Sequence, residues 1–322
     1  MSDHARAELA ERCVGRVVGQ APLAGYTTLR VGGPARILVT AEGDGDLTAV
    51  SEICRRHGLP WTVIGRGSNL LVADSGWPGI AIVLGRGFRG WSADGPLVHV
   101  GAAEPLPSLA VQLADAGYDG FAWACSVPGT IGGAVRMNAG AHGADMASHL
   151  VDAEVFRLST ATRELWPAST LGLAYRSTEL PDDAVVVAAT LRLAPGDPVQ
   201  VRAEIDRIRT WRRTHQPLSQ PNCGSVFTNP PGDSAGRLID AAGCKGMQVG
   251  GAAVSERHAN FIVTRPAATA TDVATLIARV IAAVEDHVAV TLHPEVRRLG
   301  PVAPDPDLPT TRVGPESGVV GP

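Results

Sequence analysis

No C-x-x-C pair occurs anywhere in the 322 residues, and the five cysteines, Cys13, Cys54, Cys125, Cys223 and Cys244, are an odd number. That argues against a disulfide framework and leaves reduced thiols as the expectation. No uncharged apolar run reaches the roughly 20 residues a membrane-spanning helix needs. Met1 to Gly15 carries His4, Arg6, Glu8, Glu11 and Arg12 where a secretory signal would have an apolar core. Acids and bases are interspersed and nearly balanced, 32 against 28. No basic stripe is therefore present to neutralise nucleic-acid phosphates. These absences set aside nucleic acid and membrane as partners, and they leave a cytoplasmic location and a monomer as defaults; no metal site is expected.

With 45% hydrophobic residues the chain can bury substantial cores, and its length suits two or three folding units. Asp46 to Arg56 places Leu47, Val50, Ile53 and Cys54 on one helical face, with Asp46 as N-cap and Gly58 as stop. Cys54 is accordingly a core residue rather than a ligand. Short apolar runs at 61–64, 80–84 and 97–100, separated by Gly, Asp and Ser, read as strands, as do 153–158 and 184–193. A helix is expected over 108–117. Near residue 200 the pattern changes: 201–213 reads as a charged helix, 214–222 as an irregular connection, 225–228 and 260–263 as strands, and 235–242 as a helix. A long final helix follows, with Val273, Leu276, Ile277, Val280, Ile281 and Val284 on its apolar face. The Pro- and Gly-rich stretch 301–322 is expected to be disordered.

Two segments are unusually rich in glycine. Val63 to Ala73 reads V-I-G-R-G-S-N-L-L-V-A, a strand entering a loop. Glycine permits positive φ and close approach, so successive amides there can face a pyrophosphate, although a tight turn accounts for the loop equally well. Ser126 to Gly143 packs five glycines among small residues, which lets an extended ligand lie against backbone while Ser126, Thr130 and Asn138 supply hydrogen bonds. Thr27 to Ala35 (T-T-L-R-V-G-G-P-A) repeats the pairing of hydroxyls with glycines. Neither a Rossmann G-x-G-x-x-G in strand-to-helix context nor a P-loop is present, so a nucleotide would be held another way.

In this order, T-T-L-R-V-G-G, G-R-G-S-N and V-P-G-T-I-G-G-A-V-R-M-N-A-G-A-H-G resemble the flavin-binding half of the UDP-N-acetylenolpyruvoylglucosamine reductase (MurB) family. The second half adds Y-R-S (175–177), G-S-V-F (224–227), A-G-C-K-G (242–246), H-A-N-F (258–261) and H-P-E-V (293–296), so the resemblance spans roughly residues 20 to 300. It implies an α+β protein: an N-terminal helix or extension (1–19), a vanillyl-alcohol-oxidase or PCMH-type FAD-binding module of two subdomains (20–199), a C-terminal α+β substrate-binding domain (200–300) and the tail. It also looks like the shorter class, in which Y-R-S runs almost directly into the strand at 184 with no insertion.

The resemblance further implies noncovalent FAD, NADPH as hydride donor and a UDP-sugar enolpyruvate as substrate. Cofactor binding would fall to Thr28, Gly65, Arg66, Gly67, Ser68 and Asn69, and to Ser126, Pro128, Gly129, Thr130, Gly132, Gly133, Asn138 and Gly140. Ser225 would be the proton donor, Arg176 the partner of the enolpyruvyl carboxylate, whose planar fork suits that group, and Glu295 the residue that polarises or positions it. Tyr175, His215, Asn229, Lys245, Gly246, His258 and Asn260 would contact the sugar nucleotide, with Arg237 a further candidate. Three departures stand out: Arg66 inside the family's G-G-G-S-N, Tyr26 in the entry loop, and His215 at the lysine of K-x-P. Cys223 beside Gly224 is read as an inert packed thiol, and His142 and Cys125 are not read as flavin attachment points. A flavin oxidase of the same fold explains the first-half glycines but not G-S-V-F, H-A-N-F and H-P-E-V. A paralogue acting on another nucleotide sugar keeps every motif, and a noncatalytic sugar sensor would have no need of Ser225, Arg176 and Glu295 together.

Overall fold

The computed structural model describes residues 2–308 and 310–312 and divides the chain into two units. The first comprises Met1–Ala21, Ala35–Arg66 and Pro78–Arg212; the second comprises Pro22–Pro34, Gly67–Trp77 and Arg213–Pro322. Both glycine-rich entry segments of the first half are thus cut by the division. The cause is local packing, because Leu29, Val31 and Leu71 belong to the apolar core built by the last hundred residues. The charged helix expected to open the second domain, Pro198–His215, instead packs its Val201, Ile205 and Ile208 in a core of the first unit.

Helix α1 (Ser2–Arg12) and α2 (Asp44–His57) accompany a four-stranded sheet ordered Val17–Pro22, Pro34–Ala41, Trp77–Leu84, Trp61–Val63. Ala5 and Leu9 of α1 share one core with Leu47, Val50, Ile53 and Cys54 of α2. The α2 stop is as expected, with Gly58 at φ +61 donating to Cys54. Its start is not: Gly43 is the N-cap, and Asp46 is a buried residue one turn in. The Asp46 carboxylate accepts the N–H groups of Val14, Gly15 and Glu42 at 2.8 to 3.0 Å, so it fastens the preceding loop instead.

A five-stranded antiparallel sheet follows, ordered Thr162–Pro167, Leu150–Arg157, Ala184–Arg192, Leu97–Gly101, Trp91–Asp94. Its central strand is a nearly unbroken apolar run because both faces are covered. Val185 and Val187 enter the core shared with α2, while Val186 and Leu191 enter the one formed with α3 (Leu106–Asp115), α4 (Ile131–Met137) and α5 (Pro198–His215).

The second unit holds a five-stranded antiparallel sheet, ordered Asn222–Ser225, Phe261–Thr264, Ala252–Val254, Met247–Val249, Thr310–Arg312. Over its core pack α6 (Ala235–Ala241) and α7 (Ala270–Val288). Thr269 and Asp272 form a capping box on α7, and Asp74 adds a second cap, accepting from the N–H groups of Ala270 (2.7 Å) and Thr271 (2.9 Å). A two-stranded parallel pair, Leu70–Val72 with Arg297–Leu299, completes the anchoring of segment 67–77.

Two sequence expectations change here. The strand foreseen at 225–228 lies at Asn222–Ser225 and ends where it was to begin. Within the stretch expected to be disordered, Thr310–Arg312 pairs with Met247–Val249; residues 309 and 313–322 lie outside the described residues. Among the described residues no helix is long and apolar enough to cross a membrane.

Candidate active site

In the first unit the glycine-dense segment is not a plain loop. Thr130 caps α4, accepting the Gly133 N–H, and Asn138 closes the helix at φ +39. Gly132 sits where a Cβ would come within 3.0 Å of the Ala102 side chain, so close packing rather than ligand approach explains that glycine. A Cβ on Gly65 would likewise stand 3.0 Å from the Thr130 hydroxyl, which brings the two glycine segments together. Pro128 and Gly133 are exposed, and Gly129 and Gly140 partly so. Ser126 and Asn138 spend their expected hydrogen bonds on the chain: Ser126 donates to Trp123, and the buried Asn138 amide accepts from Ala147 and donates to Ala174, both at 2.9 Å.

That last bond carries the Y-R-S turn. Ala174 and Ser177 exchange two backbone hydrogen bonds, and Arg176 occupies the turn at φ +58, a region that costs a residue with a Cβ of order 1–2 kcal/mol. Its guanidinium donates to the Gly140 carbonyl at 2.8 Å and lies over the exposed Tyr175 ring. The strained turn therefore sets Arg176 against the glycine segment from far along the chain.

In the second unit, Thr28 donates its N–H to Gly67, whose φ is +59. Ser68 and Asn69 follow; the Asn69 side chain donates to the Glu295 carbonyl at 3.1 Å. Thr28 Oγ1 is buried with no partner among the described residues. The backbone N–H groups of Gly67, Ser68 and Asn69, and in the first unit those of Gly65 and the exposed Arg66, likewise meet no acceptor among the described residues.

Ser225 ends its strand at a bulge. Asn222 pairs with Val263 and Ser225 with Phe261, so three residues' advance faces two. Gly224, at φ +77, takes up the extra residue, and its N–H is held by Asn222 Oδ1 at 2.9 Å. A Cβ on Gly224 would meet nothing, so the dihedral alone demands glycine. The bulge leaves the Ser225 side chain exposed while Cys223 and Val226 point into the core. Burial pushes the Cys223 thiol up to about 12, with the Glu295 charge acting in the same direction, which keeps it an unreactive thiol. Glu295 reaches the same place by backbone pairing: its N–H donates to the Val226 carbonyl at 2.7 Å.

The expected sugar contacts divide. Asn229 Oδ1 accepts from Ala235 N–H at the start of α6, and Arg237 pairs with Asp233. Lys245, the chain's single lysine, pairs with Asp240 at 2.7 Å. Gly246 is buried at φ +71 and donates to Val254. His215 is the exposed last residue of α5. Asn260 is 4% exposed, with both atoms of its amide engaged by Phe227, and so is not placed to touch a ligand. His258 accepts the Asn260 N–H on Nδ1 and packs on Phe261.

Residues 35–161 match a family model described as an FAD binding domain, and residues 216–299 match one described as the C-terminal domain of UDP-N-acetylenolpyruvoylglucosamine reductase. The reductase of that name from Bacillus velezensis is 42% identical, across 91% of this chain and 97% of its own. The Bacillus subtilis protein is 39% identical over the same shares. The chain belongs to the UDP-N-acetylenolpyruvoylglucosamine reductase family. The crystal structure of the reductase from Thermus caldophilus is 36% identical, covers 88% of this chain and 98% of its own, and superposes with a TM-score of 0.77. For the reductase family's FAD-binding module, the unpartnered Thr28 hydroxyl and the unbonded amides of Gly67, Ser68 and Asn69 in the second unit are donors of the kind an anionic dinucleotide calls for. The residues present fit that cofactor.

Burial lowers the His258 imidazole below its ordinary 6.5, with Lys245 adding to the effect; burial likewise lowers His142 and His149. In each case the unfolded chain binds the proton more readily than the folded one. Stability is then complete above 6.5 and is lost as pH falls from 6.5 through the folded values. Urea midpoints should decline between pH 7.5 and pH 5.5; an unchanged midpoint would contradict the assigned burial.

Proposed function

We propose that this chain reduces UDP-N-acetylglucosamine enolpyruvate to UDP-N-acetylmuramate with NADPH, supplying peptidoglycan precursor in the cytoplasm and thereby serving cell-wall growth, shape and division, and that it acts as a monomer. Bound FAD would supply the hydride relay between NADPH and the enol ether.

What remains for the protein is to orient the substrate, stabilise the enolate-like charge that develops beside the carboxylate, and deliver a proton. Arg176, presented on its strained turn, pairs with the carboxylate, which spreads the developing charge. Ser225 delivers the proton. A hydroxyl is a weak acid, so the transfer depends on alignment, and the glycine bulge that turns Ser225 outward is the observation that carries this reading. Glu295 polarises or positions the groups around it. Lys245, Gly246 and His258, with Tyr175 and Asn229, bind the nucleotide sugar.

His215 stands at the family lysine position, where its imidazole can donate a hydrogen bond to a phosphate oxygen. His215→Ala should therefore raise the KM for the sugar nucleotide and leave kcat little changed. An unchanged KM would remove His215 from the site. The function itself is tested by incubating the purified chain with NADPH and the enolpyruvyl sugar nucleotide. One UDP-N-acetylmuramate per NADPH consumed is the expected stoichiometry; NADPH oxidation with the sugar unchanged would overturn it.

A further inference from the structure

Phe227 lies opposite Pro294 in an antiparallel bridge whose hydrogen bonds are made by the flanking residues, Glu295 N–H to Val226 at 2.7 Å and Thr228 N–H to His293 at 3.0 Å. In such a pair the backbone groups of Phe227 itself face the other way. A neighbouring strand would ordinarily meet them, but Phe261–Thr264 pairs only as far as Ser225. One side chain takes the strand's place. Asn260 Oδ1 accepts the Phe227 N–H and Asn260 Nδ2 donates to the Phe227 carbonyl, each at 2.9 Å, and the Asn260 carbonyl accepts from Val226 N–H at 2.9 Å. On the far side, Asn69 Nδ2 holds the Glu295 carbonyl, and the Asn69 carbonyl accepts from Arg297 N–H.

We propose that Asn260 is a positioning residue for proton delivery by Ser225: it locks the two residues that follow the serine, so that the Gly224 bulge keeps one geometry. Asn69 does the same for Glu295 from the opposite end of this short ladder. The inference rests on the reduction proposed above. Only a primary amide of this length offers an acceptor to one residue's N–H and a donor to the same residue's C=O; a carboxylate of the same shape sets an oxygen against the Phe227 carbonyl.

Asn260→Asp tests the idea, read on holoenzyme with full FAD content. The sugar-dependent step should slow about 100-fold, the scale of a small misplacement of a reacting group, while the NADPH-dependent step changes less than about twofold. The KM for the sugar should stay within about threefold of the parent value. Lowering the pH protonates the substituted carboxyl and restores a donor, so the deficit relative to the parent should shrink in acid. Combined with Ser225→Ala, the substitution should slow the sugar step no further. Equal slowing of both steps, additive losses, or a sugar step as fast as the parent's would each overturn the proposal. Should Asn260→Asp fail to accumulate folded, Asn260→Ser keeps the backbone bond to Val226 and drops the side-chain amide: a slowed sugar step with an intact NADPH step supports the proposal, and an unchanged sugar step overturns it. A parent protein inert toward the sugar would instead remove the proposed function.

Discussion

Ser225→Ala should slow the sugar-dependent half of the reaction by about 100- to 1,000-fold, the usual worth of a positioned general acid, and leave NADPH oxidation nearly intact. The asymmetry follows from chemistry. Hydride leaving NADPH needs no proton from the protein, whereas the carbon beside the carboxylate must be protonated before product forms. Structure adds the reason for a selective effect. Ser225 is exposed at a strand end and makes no packing contribution to the core that Cys223 and Val226 enter, so its truncation should not disturb folding. Stopped-flow absorbance separates the halves; slowing both in proportion would assign Ser225 to binding or to fold.

Gly67→Ala should be the most damaging of the glycine substitutions in the cofactor loop. An added Cβ would lie against the Tyr26 carbonyl and 2.7 Å from Thr27 Cα, both backbone atoms that have no freedom to yield, and φ +59 adds strain. Left-handed strain and overpacking together amount to about 2–5 kcal/mol. The same loop carries Thr28 through its bond to the Gly67 carbonyl, so FAD retention should fall with stability. Gly65→Ala serves as the comparison: its Cβ meets only the Thr130 side chain, the hydroxyl at 3.0 Å and the methyl at 3.9 Å. Thermal unfolding of both variants checks this, and equal losses would contradict the distinction.

The apolar periodicity of α2 and α7 and the runs that became the strands around 80, 98, 155 and 188 were legible because each buries a face whose spacing the sequence displays. Composition concealed α4: Gly132 and Gly133 disfavour a helix locally, and the Thr130 cap and packing on Ala102 override them. Ordered motifs disclosed the family, and with it the candidate residues. They did not disclose which polar side chains the fold consumes. Asn138 and Asn260 look like ligand donors in a one-dimensional reading, yet their amides stitch together segments tens of residues apart, a fact that only partners distant in sequence can reveal. Asp74, unremarked in its loop, caps α7 from nearly two hundred residues away and so fixes the G-S-N segment in the second unit. The division of the chain is hidden for the same reason, since it is set by where Leu29, Val31 and Leu71 find their core.

The most direct measurement is spectroscopic. The purified yellow protein is reduced anaerobically by one equivalent of NADPH, and the enolpyruvyl sugar nucleotide is then added. The account predicts that the oxidised-flavin absorbance returns in full as UDP-N-acetylmuramate forms. A bleached sample that stays bleached, or a colourless chain that takes up no FAD, would contradict it.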